Sequence, residues 1–526
     1  MKQTSTVADV LVIGAGHNGL TTAAYLARQG LTVQVLEAAP DIGGMTTTAA
    51  LIPGAPEHLV NTCAMDMFLI RGFQVPKELD LARYGYREVD LDPQSVWLEP
   101  DGGSIAFWRD PRRTAAEIER FNRADAQAFL ELMEMLDHVL SIAHPMMATN
   151  PVRPEPRQLA RSLAALVRHL GLLKVLPAFG IASGAEIIEE RFRHPAVINA
   201  LAGASFGAPI WDPGSAMFLA YWAWFHRFGA GRVIGGTGQL PAALRRCLEA
   251  AGGTVRTGAR VHDILVDGGR AVGVRLSDGE ELGARVVVAA CDPKQALDRL
   301  LPDGTLGDKL QSRVRAIPTD GSASLRVDIA LSGRVTLPLH EKWRGDGLDL
   351  RQPYIWRGTY EEQREAARSA ARGQLPAKFP YIATVPTSTD PTQAPDGQDV
   401  AYVYASRLPL DPIEPWEQLE ERAVKQLIAD VTTFYHGVEE LEIGRWVETP
   451  PKMTARTNAT DGNWQHVDFQ MFRAGPLRPA LGLAGYRTPV PGLFLASAGS
   501  HPGCCVSGVQ GRLAAKSVTT FLRDHR

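Results

Sequence analysis

Residues 9–28 read DVLVIGAGHNGLTTAAYLAR, and this stretch decides the fold of the chain. Asp9 to Ile13 is a compact apolar run, and a Gly-x-Gly-x-x-Gly turn follows it at once. Leu20 to Arg28 then carries apolar residues at helical spacing, so the order is strand, glycine turn and helix. A second strand over Leu31 to Leu36 closes a βαβ unit.

The residues of this unit suit a bound dinucleotide. Gly14 permits the tight turn, Gly16 lets the backbone approach a diphosphate, and Gly19 lets the helix pack closely on the strand. The helix N-terminus, with Asn18 in its first turn, offers free N–H groups and partial positive charge to the diphosphate. Glu37 ends the second strand, where it can accept hydrogen bonds from ribose hydroxyls. The alternative is a glycine turn of purely structural origin.

A glycine pair after the acid narrows the choice of dinucleotide. Pro40 to Thr46 contains Gly43, Gly44 and Met45, and its backbone must pass near the bound cofactor. The stretch GAGHNGLTTAAYLARQG followed by LEAAPDIGGM resembles the N-terminus of FAD enzymes such as phytoene desaturases. It resembles above all the family of pyridine nucleotide-disulphide oxidoreductase domain-containing protein 2, which shares the G-A-G-H-N-G-L form.

This resemblance implies FAD as the cofactor and an α/β fold. The expected architecture is an FAD-binding Rossmann-like domain of the glutathione-reductase and amine-oxidase type, with a β-meander, plus an α+β substrate domain. A middle block supports it: GGTGQL at 235–240 precedes a helix over 241–251 and four short strands between residues 254 and 290. In the family, the residue matching Val261 contacts the adenine through its backbone. The alternative is an unrelated antiparallel sheet.

The C-terminal block resembles the other end of a flavin site. Residues 488–495 predict a turn and a buried strand, Gly499 to Gly503 follow, and residues 506–512 open a terminal helix. In the family such a helix points its N-terminus at the flavin ring, which makes Gly499, Gly508 and Val509 candidate contacts. Backbone donors and a helix dipole there would stabilise the negative charge of the reduced ring.

The chain departs from the family pattern at two places. Ser497 stands where the family usually has glycine, and Cys504 and Cys505 stand where it usually has small residues. A disulfide between adjacent residues requires a strained backbone, so we interpret the cysteines as small buried fillers. Redox-active sulfur and a covalent flavin-cysteine link are the alternatives.

The sequence offers few candidate residues for catalysis and for the wall of a substrate pocket. His466 and His501 fall in the C-terminal motif blocks and could orient or deprotonate substrate, although a structural hydrogen-bonding role is the alternative. Residues 211–228 hold seven aromatic side chains, which predict either an apolar substrate channel or core packing. We find neither a hydrolase elbow nor a cluster with metal-ligand spacing, so no metal is expected.

Residues 157–176 predict a basic amphipathic helix. One stripe holds five leucines, and the only charges are basic. Such a helix suits a membrane surface. The alternative is a helix that covers the core and exposes its basic face.

Composition bounds the class of protein. At 526 residues the chain exceeds the size of about 250–300 residues at which single cores stop growing, so we expect two domains. A net charge of −3 argues against a dedicated nucleic-acid binder. We expect a reduced, cytoplasmic protein, because the five cysteines lack C-x-x-C spacing and the sequence shows neither a signal peptide nor a membrane-spanning run. Peripheral contact with the inner membrane surface is left open.

We predict an FAD-binding domain from residues 1–75, 230–300 and 485–526, and a substrate-binding domain from 76–229 and 301–484. The predicted activity is FAD-dependent dehydrogenation or desaturation of an apolar, isoprenoid or carotenoid-like substrate, by hydride transfer to flavin N5. Because no second dinucleotide motif follows a strand, oxygen, a quinone or a protein is the expected electron acceptor. The alternatives are a flavin amine oxidase, a reduced-flavin isomerase and a non-catalytic lipid-binding or escort protein.

Overall fold

A computed structural model describes residues 6–174, 176–203, 209–319, 321, 323–470, 473–503 and 505–525. Its strands are, in chain order, β1 Thr6–Ile13, β2 Val33–Leu36, β3 Thr48–Ala49, β4 Val60–Asn61, β5 Asp66–Met67, β6 Glu88–Leu91, β7 Ser95–Leu98, β8 Ser104–Phe107, β9 Ala230–Val233, β10 Thr254–Arg256, β11 Val261–Asp267, β12 Arg270–Leu276, β13 Glu281–Ala289, β14 Ser324–Leu331, β15 Tyr354–Arg357, β16 Tyr381–Thr384, β17 Asp399–Ser406, β18 Glu442–Glu448 and β19 Leu493–Leu495.

The α-helices are α1 His17–Ala27, α2 Val75–Glu78, α3 Pro111–Glu119, α4 Arg123–Met147, α5 Pro156–Arg168, α6 Leu176–Ile181, α7 Gly184–Arg191, α8 Pro195–Ala202, α9 Ala220–Phe228, α10 Gln239–Ala250, α11 Asp308–Arg315, α12 Pro338–Arg344, α13 Tyr360–Ala371, α14 Trp416–Val431, α15 Val438–Leu441, α16 Pro450–Thr457 and α17 Val509–Asp524. Short 3-10 turns join several of them, including Leu170–Lys174 and Ser215–Leu219.

The first sheet collects strands from distant parts of the chain. Its order is β10-β2-β1-β13-β12-β11, and β19 also pairs with β13. β10, β2, β1, β13 and β19 run parallel, whereas β11, β12 and β13 form an antiparallel meander. Val10, Val12 and Val286 are fully buried, as expected for parallel strands covered on both faces. These strands lie within the three segments predicted for the FAD-binding domain.

The second sheet has the order β18-β14-β17-β16-β15-β7-β8. One face packs against α14 through residues such as Val327, Val403 and Leu427. The opposite face turns Tyr402 and Trp356 toward the hydrophobic cluster that includes α1 and α9. This pair of sheets agrees with the predicted fold class, a Rossmann-like domain with a meander and a separate α+β part.

The predicted helix over residues 157–176 is interrupted. α5 ends at Arg168, a 3-10 turn spans Leu170–Lys174, and α6 begins at Leu176. Gly171 lies in the break, and glycine is disfavoured by about 1 kcal/mol in a helix interior.

Candidate functional site

The glycine turn between β1 and α1 has the geometry that a dinucleotide needs. Gly14 has a φ of +100°, which residues with side chains rarely adopt. A Cβ on Gly19 would lie 2.0 Å from the Gly14 carbonyl oxygen, so only glycine lets α1 pack this closely on β1. A Cβ on Gly16 would meet only the Gly43 carbonyl oxygen, at 4.0 Å. Open space therefore lies beside the Gly16 backbone, where the diphosphate is predicted.

Glu37 connects this turn to the end of β2. Its carboxylate accepts hydrogen bonds from the backbone N–H groups of Ala15, at 2.7 Å, and Ala39, at 2.9 Å. The carboxylate has further lone pairs, so it can still accept from ribose hydroxyls. The Glu37 carbonyl accepts from the N–H of Ala259 at 2.7 Å, which brings the start of β11, at Val261, close to this acid. The predicted ribose and adenine contacts thus lie near each other.

Gly43 and Gly44 form a second turn against the first. Their φ values are +114° and +57°. The N–H of Gly43 donates to the Ala15 carbonyl at 2.9 Å, and a Cβ on Gly44 would lie 3.7 Å from the Gly16 Cα. Met45 follows and is half-buried. The predicted glycine pair therefore borders the open space beside Gly16.

The N-terminus of α17 packs against the first turn of α1. Gly508 has a φ of +71° and precedes Val509, the first residue of α17. A Cβ on Gly511 would lie 2.4 Å from the Asn18 carbonyl oxygen, and the Thr22 hydroxyl donates to the Gly511 carbonyl at 3.2 Å. The two ends of the chain that were predicted to hold one cofactor are in contact.

The turn before α17 explains one departure from the family pattern. The Ser497 hydroxyl accepts a hydrogen bond from the N–H of Gly499 at 3.1 Å, so serine holds this turn. A Cβ on Gly499 would lie 2.5 Å from Pro293 Cγ, which leaves no room for a side chain. Cys504 lies outside the described residues, and Cys505 is half-buried with a φ of +52°.

Buried polar atoms around these turns lack partners within the described part of the protein. They are His17 Nε2, Asn18 Oδ1, His466 Nδ1, Ser500 Oγ and His501 Nδ1. An unsatisfied buried polar atom costs about 1–3 kcal/mol, so such atoms need an explanation. The polar groups of a flavin dinucleotide would supply partners, and the open space at Gly16 would hold its diphosphate. The residues present therefore fit FAD.

His501 is buried and forms a hydrogen bond to the protein backbone. Its Nε2 lies 3.0 Å from the Met146 carbonyl oxygen, so Nε2 carries the proton and donates it. Burial lowers the pKa of His501 to about 4, the bond to Met146 opposes this shift, and the positive charge of Arg478 adds to it. The imidazole is therefore neutral at pH 7 and only weakly basic.

His466 lies near the diphosphate end of the site. It has a φ of +61°, and burial lowers its pKa while the carboxylate of Asp292 opposes the shift. Burial and the nearby His466 lower the pKa of His17 to about 4. Because His17 is the first residue of α1, we expect His466 to contact the cofactor rather than the substrate.

Charged and aromatic side chains share one face of the second sheet. Arg326 and Asp328 alternate along β14, so both point to the same side. The register places Arg326 opposite Tyr404 and Asp328 opposite Tyr402 on β17. This group was not predicted from the sequence, although two charges at alternate positions of the largely apolar strand SLRVDIAL indicate a charged face.

Arg326 and Asp328 form a buried ion pair with 2.7 Å between Nε and Oδ2. Arg326 also donates to the Asn61 carbonyl, and its guanidinium lies 4.6 Å from the centre of the Tyr402 ring. Burial raises the pKa of Asp328 to about 6, although Arg326 opposes the shift. The pair ties the second sheet to β4.

A second ion pair joins this face to the glycine turns. Arg456 Nε lies 2.6 Å from a carboxylate oxygen of Glu448, on β18. The same guanidinium donates to the carbonyls of Thr62, at 3.2 Å, and Gly44, at 3.4 Å. The charged face of the second sheet and the predicted FAD turns therefore lie next to each other.

Some aromatic side chains of residues 211–228 pack in the core, and one faces the predicted site. Trp222 stacks on Phe107 with ring centres 4.0 Å apart, and Trp222, Trp224 and Phe225 are buried in the core. Phe218 instead contacts Phe469 at 5.4 Å.

Phe469 connects this wall to the flavin-side turn. A Cβ on Gly503 would lie 2.8 Å from the Phe469 ring. Under the aromatic face of the second sheet lies a cavity of about 60 Å³, and Trp356, Tyr404, Trp464 and Arg407 are among its lining residues. Arg357, Gln363 and Ser406 also line this cavity, so its wall combines aromatic and polar side chains.

Comparison with known proteins gives matches along nearly the whole chain. The family described as flavin containing amine oxidoreductase matches residues 19–519. The mouse (Mus musculus) pyridine nucleotide-disulfide oxidoreductase domain-containing protein 2 is 28% identical, over 98% of this chain and 94% of its own length. Phytoene desaturase (neurosporene-forming) of Cereibacter sphaeroides is 24% identical, over 95% of this chain and 92% of its own length.

A solved structure of putrescine oxidase bound to putrescine resembles this chain with a TM-score of 0.62 at 16% identity. The similarity covers 98% of this chain and 99% of that one. At this identity the likeness bears on the fold alone, and it confirms the predicted fold class.

Gly16→Val should abolish flavin retention and leave the fold intact, because the valine side chain would enter the open space beside the turn. Gly19→Val should instead prevent folding, since its Cβ would lie 2.0 Å from a backbone oxygen. Gly171→Val is the control, because a Cβ there meets nothing within 4 Å. Visible flavin absorbance and circular dichroism of the purified variants measure both effects. Full flavin occupancy in Gly16→Val would refute the diphosphate assignment.

Arg326→Met should destabilise the protein by roughly 3–5 kcal/mol, because it leaves the Asp328 carboxylate buried without its partner. The double variant Arg326→Met/Asp328→Leu removes both charges and should recover most of this loss. Urea unfolding of the two variants and the wild-type protein gives the free energies. A double variant no more stable than the single one would show that the pair does not act as a unit.

His501 should make stability depend on pH. Its pKa is about 4 in the folded protein against 6.5 for an ordinary imidazole, so its contribution is full above pH 6.5 and is lost as the pH falls toward 4. The Tm advantage of the wild type over His501→Gln should therefore shrink over this range. Differential scanning fluorimetry at constant ionic strength measures the difference. A difference that does not change with pH would contradict the burial of a neutral imidazole.

Proposed function

This chain belongs to the family of flavin containing amine oxidoreductases, and from that premise we propose that it dehydrogenates or desaturates an apolar substrate of the isoprenoid or carotenoid type. It is an FAD-dependent oxidoreductase. When bound, FAD supplies the hydride acceptor of the reaction. The residues that line the predicted site support this substrate class.

The aromatic wall carries this proposal. Phe218 and Phe469 meet beside the turn of Gly503, and Tyr404 and Trp464 line the neighbouring cavity. Pockets for small molecules are mostly apolar, and a few polar groups fix the orientation of the ligand. The aromatic part of this wall favours a hydrocarbon substrate, and Arg357, Gln363 and Arg407 supply the few polar groups of the cavity. The names of the Cereibacter sphaeroides relatives, phytoene desaturase and hydroxyneurosporene desaturase, point the same way.

The buried carboxylates argue against an ammonium substrate. Asp328 and Glu448 are each paired with an arginine at 2.7 Å and 2.6 Å, respectively. Asp66, on β5, is paired with Arg232 at 2.9 Å. A carboxylate already paired with arginine is a poor partner for a second cation. We therefore rank amine oxidation below dehydrogenation of an apolar substrate.

The residues around the cofactor have distinct proposed roles. Gly16 and the first turn of α1 bind the diphosphate, and Glu37 orients the ribose. The N-terminus of α17, at Val509, directs backbone donors and its dipole at the ring, which stabilises negative charge there. His501 donates from Nε2 to a backbone carbonyl and holds Met146 beside the turn. Neither His501 nor His466 is proposed as the base.

We also propose the electron acceptor and the source of the substrate. Only one Gly-x-Gly-x-x-Gly motif follows a strand, so oxygen, a quinone or a protein is the proposed acceptor instead of a bound nicotinamide. Within the described ranges, none of the helices is both long and apolar enough to cross a membrane. An apolar substrate would then reach the enzyme through peripheral contact with a membrane surface.

Anaerobic bleaching of the flavin by a substrate panel tests this function. Carotenoid or terpenoid hydrocarbons should bleach the purified holoprotein, whereas amines and alcohols should not. Phe218→Ala should slow bleaching, because it opens the apolar wall, and Ile413→Ala, at a site 75% exposed, is the matched control. Bleaching by amines alone would overturn the desaturase proposal. Bleaching by NADPH would overturn the proposed direction of electron flow.

A further inference from the structure

Exposed apolar side chains concentrate in one segment. Among the described residues, twelve large apolar side chains are exposed, and seven of them lie between positions 152 and 181. These seven, here called the apolar face, are Val152, Leu159, Leu163, Val167, Leu170, Leu173 and Ile181, with exposures of 40% to 66%. Single exposed apolar residues are ordinary, but a contiguous patch marks a contact surface.

α5 turns its larger apolar residues away from the protein. Its buried residues are Ser162 and Ala165, and the Ser162 hydroxyl donates to the Ile142 carbonyl of α4 at 2.7 Å. Leu163 and Val167 lie on the exposed side, 52% and 66% exposed. A helix that covers a core shows the reverse arrangement. The alternative that this helix covers the core with its leucines is therefore wrong.

Basic residues accompany the apolar face. Arg157, Arg161, Arg168 and Lys174 are exposed, and the sequence between Glu155 and Glu186 contains no acidic residue. Apolar and basic side chains together on a short helix are typical of helices that lie in the interface of an anionic membrane. A contact between two protein copies would instead place these cations against each other.

One end of the apolar face lies near the segment that carries Phe218. The Ile181 carbonyl, at the end of α6, accepts a hydrogen bond from the N–H of Gly214 at 2.9 Å. Four residues further along the chain, Phe218 contacts Phe469, whose ring borders the turn of Gly503. One end of the apolar face is therefore hydrogen-bonded to the segment that carries Phe218.

We propose that the apolar face docks the enzyme on a lipid bilayer with anionic headgroups, where Leu163, Val167 and Leu170 insert between the lipids. The neighbouring arginines then contact the headgroup phosphates. The purpose of this docking, delivery of an apolar substrate, rests on the proposed function, whereas the binding itself can be tested without any substrate.

Vesicle flotation of the full-length holoprotein tests the docking. The wild type should float with vesicles of phosphatidylcholine and phosphatidylglycerol, and about tenfold less with phosphatidylcholine alone. Leu163→Ser/Val167→Ser/Leu170→Ser should reduce flotation by about tenfold or more. Val89→Ser/Ile413→Ser/Leu481→Ser, at exposed apolar positions elsewhere, should float like the wild type.

A charge-matched set tests the lipid class. Arg157→Gln/Arg161→Gln/Arg168→Gln should lose binding to the anionic vesicles and should mimic the effect of high salt. Arg83→Gln/Arg299→Gln/Arg523→Gln removes three exposed arginines elsewhere and should keep binding.

Several results would overturn the proposal. The proposal fails if the wild-type protein does not float, or if the serine variant floats as well as the wild type. It also fails if the wild type is a dimer and the serine variant is a monomer. The last result, measured by light scattering, would make a second copy the occupant of this surface. Failure of the substrate panel with intact flotation would instead reject only the proposed reaction. All variants should retain full flavin absorbance, since none touches the cofactor turns.

Discussion

Close backbone packing around α1 is the constraint on which the site depends. Gly19 lies against the Gly14 carbonyl and Gly511 lies against the Asn18 carbonyl, with no room for a Cβ at either position. The first contact seats α1 on the parallel sheet, and the second brings the C-terminal helix to its first turn. Both ends of the chain therefore lie close to the open space beside Gly16, which is where we propose that the cofactor binds.

The predicted substrate side depends on a different feature, namely buried ion pairs. Arg326 with Asp328, and Arg456 with Glu448, tie the second sheet to β4 and to the glycine turns. Buried ion pairs contribute little net stability, because desolvation offsets their attraction. Their hydrogen bonds to backbone carbonyls connect the second sheet to β4 and to the turn of Gly44. We therefore expect these pairs to contribute more to the specificity of docking between the two parts than to net stability.

The two histidines show how burial decides chemistry. Both have lowered pKa values in the fold, and His466 lies beside His17 at the start of α1. A motif can indicate that a histidine belongs to a site, but its environment decides whether it accepts protons. The same holds for the aromatic residues of 211–228, of which Trp222 serves the core while Phe218 faces Phe469.

The sequence by itself determined the βαβ unit, because strand, glycine turn, helix and Glu37 lie within one local stretch whose spacing encodes them. Through resemblance to a family, it also predicted that the C-terminal block serves the same cofactor. Only the tertiary structure decided that Arg326 and Asp328 border the site, since this depends on the register of β14 with β17. The helical spacing of the sequence did show which leucines of α5 share a face. Which way that face points was decided by α4, whose Ile142 carbonyl binds Ser162 and turns the leucines outward.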